Sequence, residues 1–278
     1  MTGSFAVVVT DDRRYPHGVP SWVDVALPDP DAAQQFYGAL FGWQFHEAMP
    51  PGAPGSYVIA TLNGHHVAAL APAESGARWN TYIACDDADT SAAVIRSAGG
   101  QVTFGPEDAG PGGRLAVCTD PGGGEFRLWQ ARRRLGAQVV NEPNSWNFSD
   151  LHTLDRVRDL EFYAAVFGWE VDPDHGAGMI RLTGYGDHLA ATVDPHIYQR
   201  QASAPPGFAD VVAGIADVTE EPGWQVRFTV TDRDASAAVV ESAGGQVVST
   251  VDTPWTREAL VRDPQGAELR LSQFAPPS

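Results

Sequence analysis

The chain is poor in several things. It has two cysteines in 278 residues, Cys85 and Cys118, and they form neither a metal-ligand spacing nor a disulfide framework. Both are expected to be small core residues. Basic side chains are also scarce: 18 Lys and Arg face 35 Asp and Glu, for a formal net charge of −17. That balance excludes nucleic acid and anionic membrane surfaces as partners, since both need clustered positive charge. No apolar run is long enough to span a bilayer. Nothing over Met1–Tyr15 resembles a signal peptide, because Phe5–Val9 is too short for its apolar segment. A cytoplasmic location is expected. Cofactor fingerprints are missing too. There is no Gly-x-Gly-x-x-Gly turn, no P-loop and no serine nucleophile elbow, and Gly122-Gly123-Gly124 reads as a hairpin turn. No cofactor is expected.

What is present is a repeat. Phe36-Tyr37-Gly38-Ala39-Leu40-Phe41-Gly42-Trp43 returns as Phe162-Tyr163-Ala164-Ala165-Val166-Phe167-Gly168-Trp169. Ser97-Ala98-Gly99-Gly100-Gln101-Val102 returns as Ser242-Ala243-Gly244-Gly245-Gln246-Val247, and Asp120-Pro121 as Asp263-Pro264. With 43% hydrophobic residues to build cores, the repeat implies two similar domains. Their expected bounds are 15–131 and 146–278, joined by a linker at 132–145 that carries Arg132-Arg133-Arg134 and Pro143.

Each domain reads as two β-α-β-β-β modules. In the first module Trp22–Leu27 is a strand, and Asp29 caps a helix that has Pro30 at its first position. Ala33, Phe36, Tyr37 and Leu40 form the apolar face of that helix. Trp43–His46, Ser56–Leu62 and His66–Ala71 are the remaining strands, the last two around an Asn63-Gly64 turn. The second module runs from a strand at Asn80–Cys85 through a helix at Asp87–Ala98 to strands at Gln101–Phe104, Leu115–Thr119 and Glu125–Gln130. The third has a strand at Phe148–Thr153, a helix at Asp155–Phe167, and strands at Trp169–Val171, Met179–Thr183 and His188–Val193. Asp194–Gly223 is then a long insertion, with a short helix expected in Pro205–Ala216. The fourth runs from Gln225–Val230 through a helix at Asp232–Ala243 to strands ending at Phe274.

This arrangement, with Phe-Tyr-x-x-x-Phe-Gly-Trp, Ala-Gly-Gly and Asp-Pro-x-Gly in place, resembles the vicinal oxygen chelate superfamily. That group includes glyoxalase I, extradiol dioxygenases and bleomycin-resistance proteins. The resemblance covers about Val19 to Phe274 and is nearest to tandem glyoxalase-like proteins of actinobacteria. It implies an α+β fold in which four β-α-β-β-β units pair into two cupped mixed sheets. In metal-dependent members, first and last strands of the units carry His, Gln or Glu ligands. Here the matching positions are Trp22, Asn80, Arg127, Phe148, Gln225 and Arg270, with Ala68 or Ala69 and Ala190 or Ala191 on the closing strands of the first and third modules. Gln225 is the one conceivable ligand, and both arginines would repel a cation. No metal site is expected.

Strand alternation gives the inner face of each cup. Trp22 brings Asp24 and Ala26; Phe148 brings Asp150 and His152. Asn80 brings Tyr82; Gln225 brings Arg227 and Thr229. Arg127 brings Glu125 and Trp129; Arg270 brings Glu268 and Ser272. Two readings stand side by side. Asp24–Arg127 and Asp150–Arg270 are internal ion pairs, or the cups are ligand cavities with acid–base groups and arginine anchors. On the second reading Asp150 and His152 are the catalytic candidates, a carboxylate beside an imidazole. Trp22, Asp24, Tyr82, Glu125, Arg127, Phe148, Arg227, Glu268 and Arg270 are the ligand-binding candidates. The second domain is favoured, since Ala26 stands where the second has His152. His66 and His188 are expected at matching strand ends in solvent. Trp79, Trp146 and Trp224 lie at strand entrances, and His17, His46, His175 and His196 in loops or at edges.

Three functions fit: a metal-free isomerase, lyase or cyclase acting on a small organic natural product; a protein that sequesters such a molecule; and a metalloenzyme with non-standard ligands. A monomer or homodimer with a small-molecule ligand is expected.

Overall fold

Every module opens its helix with an aspartate. Asp29, Asp87, Asp155 and Asp232 each accept a backbone N–H from three residues ahead, at 3.0, 2.7, 3.2 and 2.9 Å. Each satisfies a donor that has no partner within its helix. The computed structural model describes residues 13–171, 178–202 and 204–276.

The first module is β1 (Pro20–Leu27), α1 (Pro30–Phe41), β2 (Gln44–Glu47), β3 (Val58–Leu62) and β4 (His65–Pro72). The second is β5 (Arg78–Ala84), α2 (Ala88–Ser97), β6 (Gln101–Asp108), β7 (Gly113–Thr119) and β8 (Glu125–Ala131). The third is β9 (Trp146–Thr153), α3 (Arg156–Phe167), β10 (Glu170–Val171), β11 (Met179–Arg181), two short helices α4 (Tyr185–Thr192) and α5 (Ile197–Arg200), and β12 (Val211–Asp217). The fourth is β13 (Gly223–Thr229), α6 (Arg233–Ser242), β14 (Gln246–Asp252), β15 (Thr256–Arg262) and β16 (Glu268–Phe274). Strand order is β2-β3-β4-β1-β5-β8-β7-β6 in one sheet and β10-β11-β12-β9-β13-β16-β15-β14 in the other. The fold is α+β with two eight-stranded mixed sheets.

The third module departs from the sequence reading. His188–Val193 is not a strand: it lies on α4 and just beyond it. Leu189, Ala190 and Ala191 are strong helix formers, which explains the departure. The closing strand is β12, whose Val-Val-Ala-Gly-Ile run is rich in β-branched residues. Only Phe208–Asp210 of the helix expected over Pro205–Ala216 forms, as a single 3-10 turn. The extra chain therefore falls inside the module, between β11 and β12. Ala190 and Ala191 lose their expected place on a sheet, and His188 loses its match with His66. His175 lies outside the described residues.

The chain forms two compact units. One takes Trp22–Thr81, Val139–Ser149 and the chain from Trp224 onward; the other takes Tyr82–Gln138 and Asp150–Gly223 with the lead-in up to Ser21. Each unit thus draws modules from both halves of the sequence.

The repeated motifs lock these units internally. In the first-named unit, Tyr37 donates to Asp263 Oδ2 at 2.9 Å, and Trp79 Nε1 donates to the Tyr37 hydroxyl at 3.2 Å. In the other, Tyr163 donates to Asp120 Oδ2 at 2.9 Å. The second glycine of each Ala-Gly-Gly lies under the motif phenylalanine. A Cβ on Gly245 would sit 3.0 Å from Phe36 Cε2, and one on Gly100 would sit 2.7 Å from Phe162 Cε2. So Phe-Tyr, Ala-Gly-Gly and Asp-Pro recur together because they form one joint. Phe41, Trp43 and Phe228 pack ring against ring in the first-named core, and Phe126, Tyr163 and Phe167 in the other. Burying each such ring stabilises by roughly 1.5–3 kcal/mol. Cys85 and Cys118 are buried in the second-named unit, and burial pushes both thiols up to about 12.

Candidate functional site

A hydrogen-bonded polar cluster lies on β13, β15 and β16. Alternation turns Val226 and Phe228 of β13 and Leu269 and Leu271 of β16 into the core, all fully buried. Gln225, Arg227 and Thr229, with Glu268, Arg270 and Ser272, take the opposite face. Arg227 is paired directly with Arg270 across the parallel β13–β16 ladder. Two guanidinium groups so close repel unless a carboxylate joins them. Glu258 of β15, opposite Ser272, does this from a 5% exposed position. Its Oε1 takes Arg227 Nη1 and the Thr256 hydroxyl, and its Oε2 takes Arg270 Nη1 at 3.3 Å. Gln225 Oε1 accepts from Arg270 Nε and Nη2 at 3.1 and 2.9 Å. Glu268 faces Arg262 instead, at 2.5 Å. Two residues further along β13, the Thr229 hydroxyl is covered and has no hydrogen-bond partner.

The corresponding place on β5 and β8 is built differently. Tyr82 is paired with Arg127, whose Nη1 donates to the Tyr82 hydroxyl at 2.8 Å and whose guanidinium lies 5.3 Å from the ring centre. Trp129 meets Tyr82 edge-on, and Leu115 stands opposite Trp129. Glu125 is half-buried at the start of β8, opposite Thr119.

Trp22 and Asp24 form a relay on β1. Trp22 Nε1 donates to the Tyr57 hydroxyl at 2.9 Å, and that hydroxyl donates to Asp24 Oδ2 at 3.0 Å. Asn80 Nδ2 donates to Asp24 Oδ1 at 2.8 Å. Asp24 is fully buried, with a donor on each oxygen. A carboxylate held this way organises a core.

Asp150 and His152 share one face of β9, as alternation predicts, with Phe148 on the same face. Opposite them on β12 stand Gly214 and Ala216. Asp150 is buried and leans over Gly214, where any Cβ would collide with Asp150 Oδ1. His152 is half-buried. Gly214, not an alanine of α4, is the counterpart of Ala69, which pairs with Asp24.

Glu258, Gly214 and Tyr57 are among the residues of these clusters that escaped the sequence reading. Glu258 had a signal: it stands five residues before Asp263, where the first half has the apolar Leu115. Gly214 was hidden by the misplaced strand. Tyr57, just ahead of β3, had none.

The donor set does not fit a divalent cation. The positions at which the superfamily carries ligands hold Trp22, Asn80, Arg127, Phe148, Gln225 and Arg270. Gln225 Oε1 already takes two N–H groups from Arg270. Among the described residues no group of three His, Cys, Asp or Glu is placed to hold a metal ion.

Comparison with known proteins agrees with this architecture. Residues 148–272 match the glyoxalase-like domain model, and residues 20–128 match that of the Glyoxalase/Bleomycin resistance protein/Dioxygenase superfamily. The chain is similar to "Putative glyoxylase CFP32" of Mycobacterium bovis, 38% identical over 95% of this chain and 97% of that protein. It is 32% identical to anthracycline biosynthesis protein DnrV of Streptomyces peucetius, over 94% of this chain and 95% of that one. The Mn(II)-bound glyoxalase of Novosphingobium aromaticivorans shares the fold, with TM-score 0.59, 15% identity, and 93% and 84% of the two chains covered. So does the 2,3-dioxygenase LapB of Pseudomonas sp. KL28, at TM-score 0.58, 13% identity, and 93% and 92% coverage. These matches define a tandem glyoxalase-like protein. The chain belongs to the glyoxalase/bleomycin resistance protein/dioxygenase superfamily.

No helix among the described residues is long and apolar enough to cross a membrane.

Proposed function

We propose that this protein acts on a small, planar organic molecule of secondary metabolism by side-chain chemistry, without a divalent cation. One observation carries the reading: at the ligand position of the fourth module stands Arg270, held by Gln225 and Glu258. A guanidinium cannot coordinate a cation and is suited to an oxyanion. The likeness to a protein named for anthracycline biosynthesis supports a polyketide-type aromatic as the ligand. In this reading Asp150 and His152 move a proton on carbon, the chemistry of an isomerase, lyase or cyclase. The chain contains no lysine, so imine chemistry through a side-chain amine is unavailable to it. Residues 15–131 and 146–278 are taken as two domains joined by 132–145, working in the cytoplasm.

The test is thermal denaturation with hydroxylated anthraquinones in EDTA, beside deuterium uptake from D2O into a bound 1,3-dicarbonyl aromatic. Stabilisation that survives EDTA, with uptake lost in His152→Ala, supports the reading. Stabilisation that needs added Mn(II), Fe(II), Ni(II) or Zn(II) overturns it. Binding without uptake by the wild type moves the assignment to sequestration.

A further inference from the structure

We propose that β14 is an interaction edge whose partner is a second copy of this chain, paired antiparallel about a twofold axis at Thr250. β14 carries no residue of the candidate site, so this does not rest on the metal-free reading.

Edge chemistry is the first argument. β2, β6, β10 and β14 close the ends of the two sheets. An end strand offers a row of unpaired N–H and C=O groups, and proteins blunt it with shortness, proline, charge or bulges. β2 has four residues and β10 two. β6 is long, but Pro106 lacks an N–H, Glu107 and Asp108 carry charge, and its register with β7 shifts twice. β14 holds the matching place in the other sheet as Gln-Val-Val-Ser-Thr-Val-Asp, with no proline and no charge before Asp252. Its register with β15 shifts once, between Val247 and Ser249. From Ser249 to Asp252 the pairing is unbroken, and all four residues are exposed.

Geometry is the second. Thr253 donates its N–H to the Thr256 carbonyl at 2.7 Å, which sets the alternation along the ladder. Val251 and Ser249 then bond inward to Glu258 and Leu260, and Thr250 and Asp252 turn their N–H and C=O groups outward. A twofold axis at Thr250 sets Thr250 against its own copy, Val251 against the partner's Ser249, and Asp252 against the partner's Val248. No two like charges meet.

The surroundings supply the third. At −17 two copies repel in general, so a self-contact needs a locally neutral surface. β14 provides one, because its single charge, Asp252, is engaged by Arg233 at 3.2 Å and Arg257 at 3.6 Å. Val251 stands opposite Glu258, Glu258 opposite Ser272, and Thr256 opposite Phe274, so Val251 and Phe274 share one sheet face. Trp255 stacks on Phe274 with ring centres 6.3 Å apart. Val251, Trp255 and Phe274 are 47%, 41% and 65% exposed, an apolar flank beside the open edge. One strand pair and this flank bury less than the about 1,200–2,000 Å² of a stable interface, so the dimer should be weak, with Kd about 10–100 μM.

Sedimentation equilibrium on the whole chain tests this. Mass should rise with concentration from 29.7 kDa toward twice that, and rise further with salt, which screens the net charge. Amide exchange at Thr250 and Asp252 should slow with it, while exchange along β6 should not. Thr250→Lys sets two cations face to face and should weaken association about tenfold or more, although it lowers the net charge. Thr103→Lys on β6 makes the same change of charge and should not weaken it. Thr250→Cys should form a disulfide-linked dimer under mild oxidation, because twofold-paired Cα atoms there lie about 5.5 Å apart. Both native thiols are buried and should not compete. A wild type that stays at 29.7 kDa up to about 1 mM overturns the proposal. A dimer with unchanged exchange at Thr250 and Asp252 does so too, and neither measurement needs a variant to fold. A monomeric chain whose edge is protected by an added Val-Ser-Thr-Val peptide gives β14 to a different partner and overturns the second copy.

Discussion

Tyr37 donates its hydroxyl hydrogen to Asp263 across 226 residues of chain. Burial, with the Asp263 carboxylate beside it, pushes the Tyr37 hydroxyl well above its ordinary range, so it stays a donor throughout the working pH range. Tyr37→Phe leaves a buried carboxylate one donor short and should cost about 1–3 kcal/mol. Tyr163→Phe, removing the matching bond to Asp120, should cost a similar amount. Urea denaturation of the two single variants and the double variant checks this. Losses within about 0.3 kcal/mol of zero would mean that the joint is ornamental.

Gly245 and Gly100 test the same joint from the other side. A methyl on Gly245 would lie 2.7 Å from the Arg262 carbonyl and 3.0 Å from Phe36 Cε2. Backbone on one side prevents easy relief, so Gly245→Ala should destabilise by about 1–3 kcal/mol. Gly100→Ala should do the same against Phe162 and Thr119. Adding Phe36→Leu to Gly245→Ala should recover part of the loss, as a melting curve would show.

Much of this architecture was legible in the sequence because the joint is local in motif even though it is distant in space. Phe-Tyr, Ala-Gly-Gly and Asp-Pro each recur, so the modules could be counted and their helix caps placed. The sequence did not show which modules pack together, because a repeat carries no pairing information. It also misled at Tyr185–Thr192, where helix formers replaced an expected strand. At the candidate site, strand parity correctly put Asp150 with His152 and Arg227 with Gln225, since both strands pair without a register shift. Glu258 was not legible because the carboxylate that joins the arginines comes from the neighbouring strand β15, whose pairing with β16 no local pattern reveals.

Glu47 gives a pH prediction. Hydrogen bonds from the Ser56 hydroxyl and from the Met49 and Tyr57 N–H groups lower its carboxyl from 4.5 to about 2. A lowered folded pKa adds stability above the unfolded value, and this is lost as pH falls through the folded one. Glu47→Gln should therefore flatten the stability profile between pH 4.5 and 2. Glu47 is exposed, so solvent screening keeps the effect under about 1 kcal/mol. Identical acid slopes for wild type and variant would remove this role.

The last prediction concerns Asp150. Its side chain occupies the space that Gly214 leaves open, whereas Ala69 holds a methyl beside Asp24. The difference follows from the partners: Asp24 is turned toward Tyr57 and Asn80, and needs no gap on β4. Gly214→Ala must displace the Asp150 carboxylate and should cost about 1–3 kcal/mol. Asp150→Ala should remove most of that penalty, so the pair should show a coupling above about 0.5 kcal/mol in a double-mutant cycle. His152 is only half-buried, and His152→Ala should change stability by about 0.5 kcal/mol or less while stopping deuterium uptake. Gly214→Ala should slow uptake as well, because it moves the carboxylate that shares a strand face with the imidazole. Additive stabilities for Gly214→Ala and Asp150→Ala would show that Asp150 does not depend on the gap. Normal uptake in His152→Ala would take the proton-transfer role away from this strand altogether.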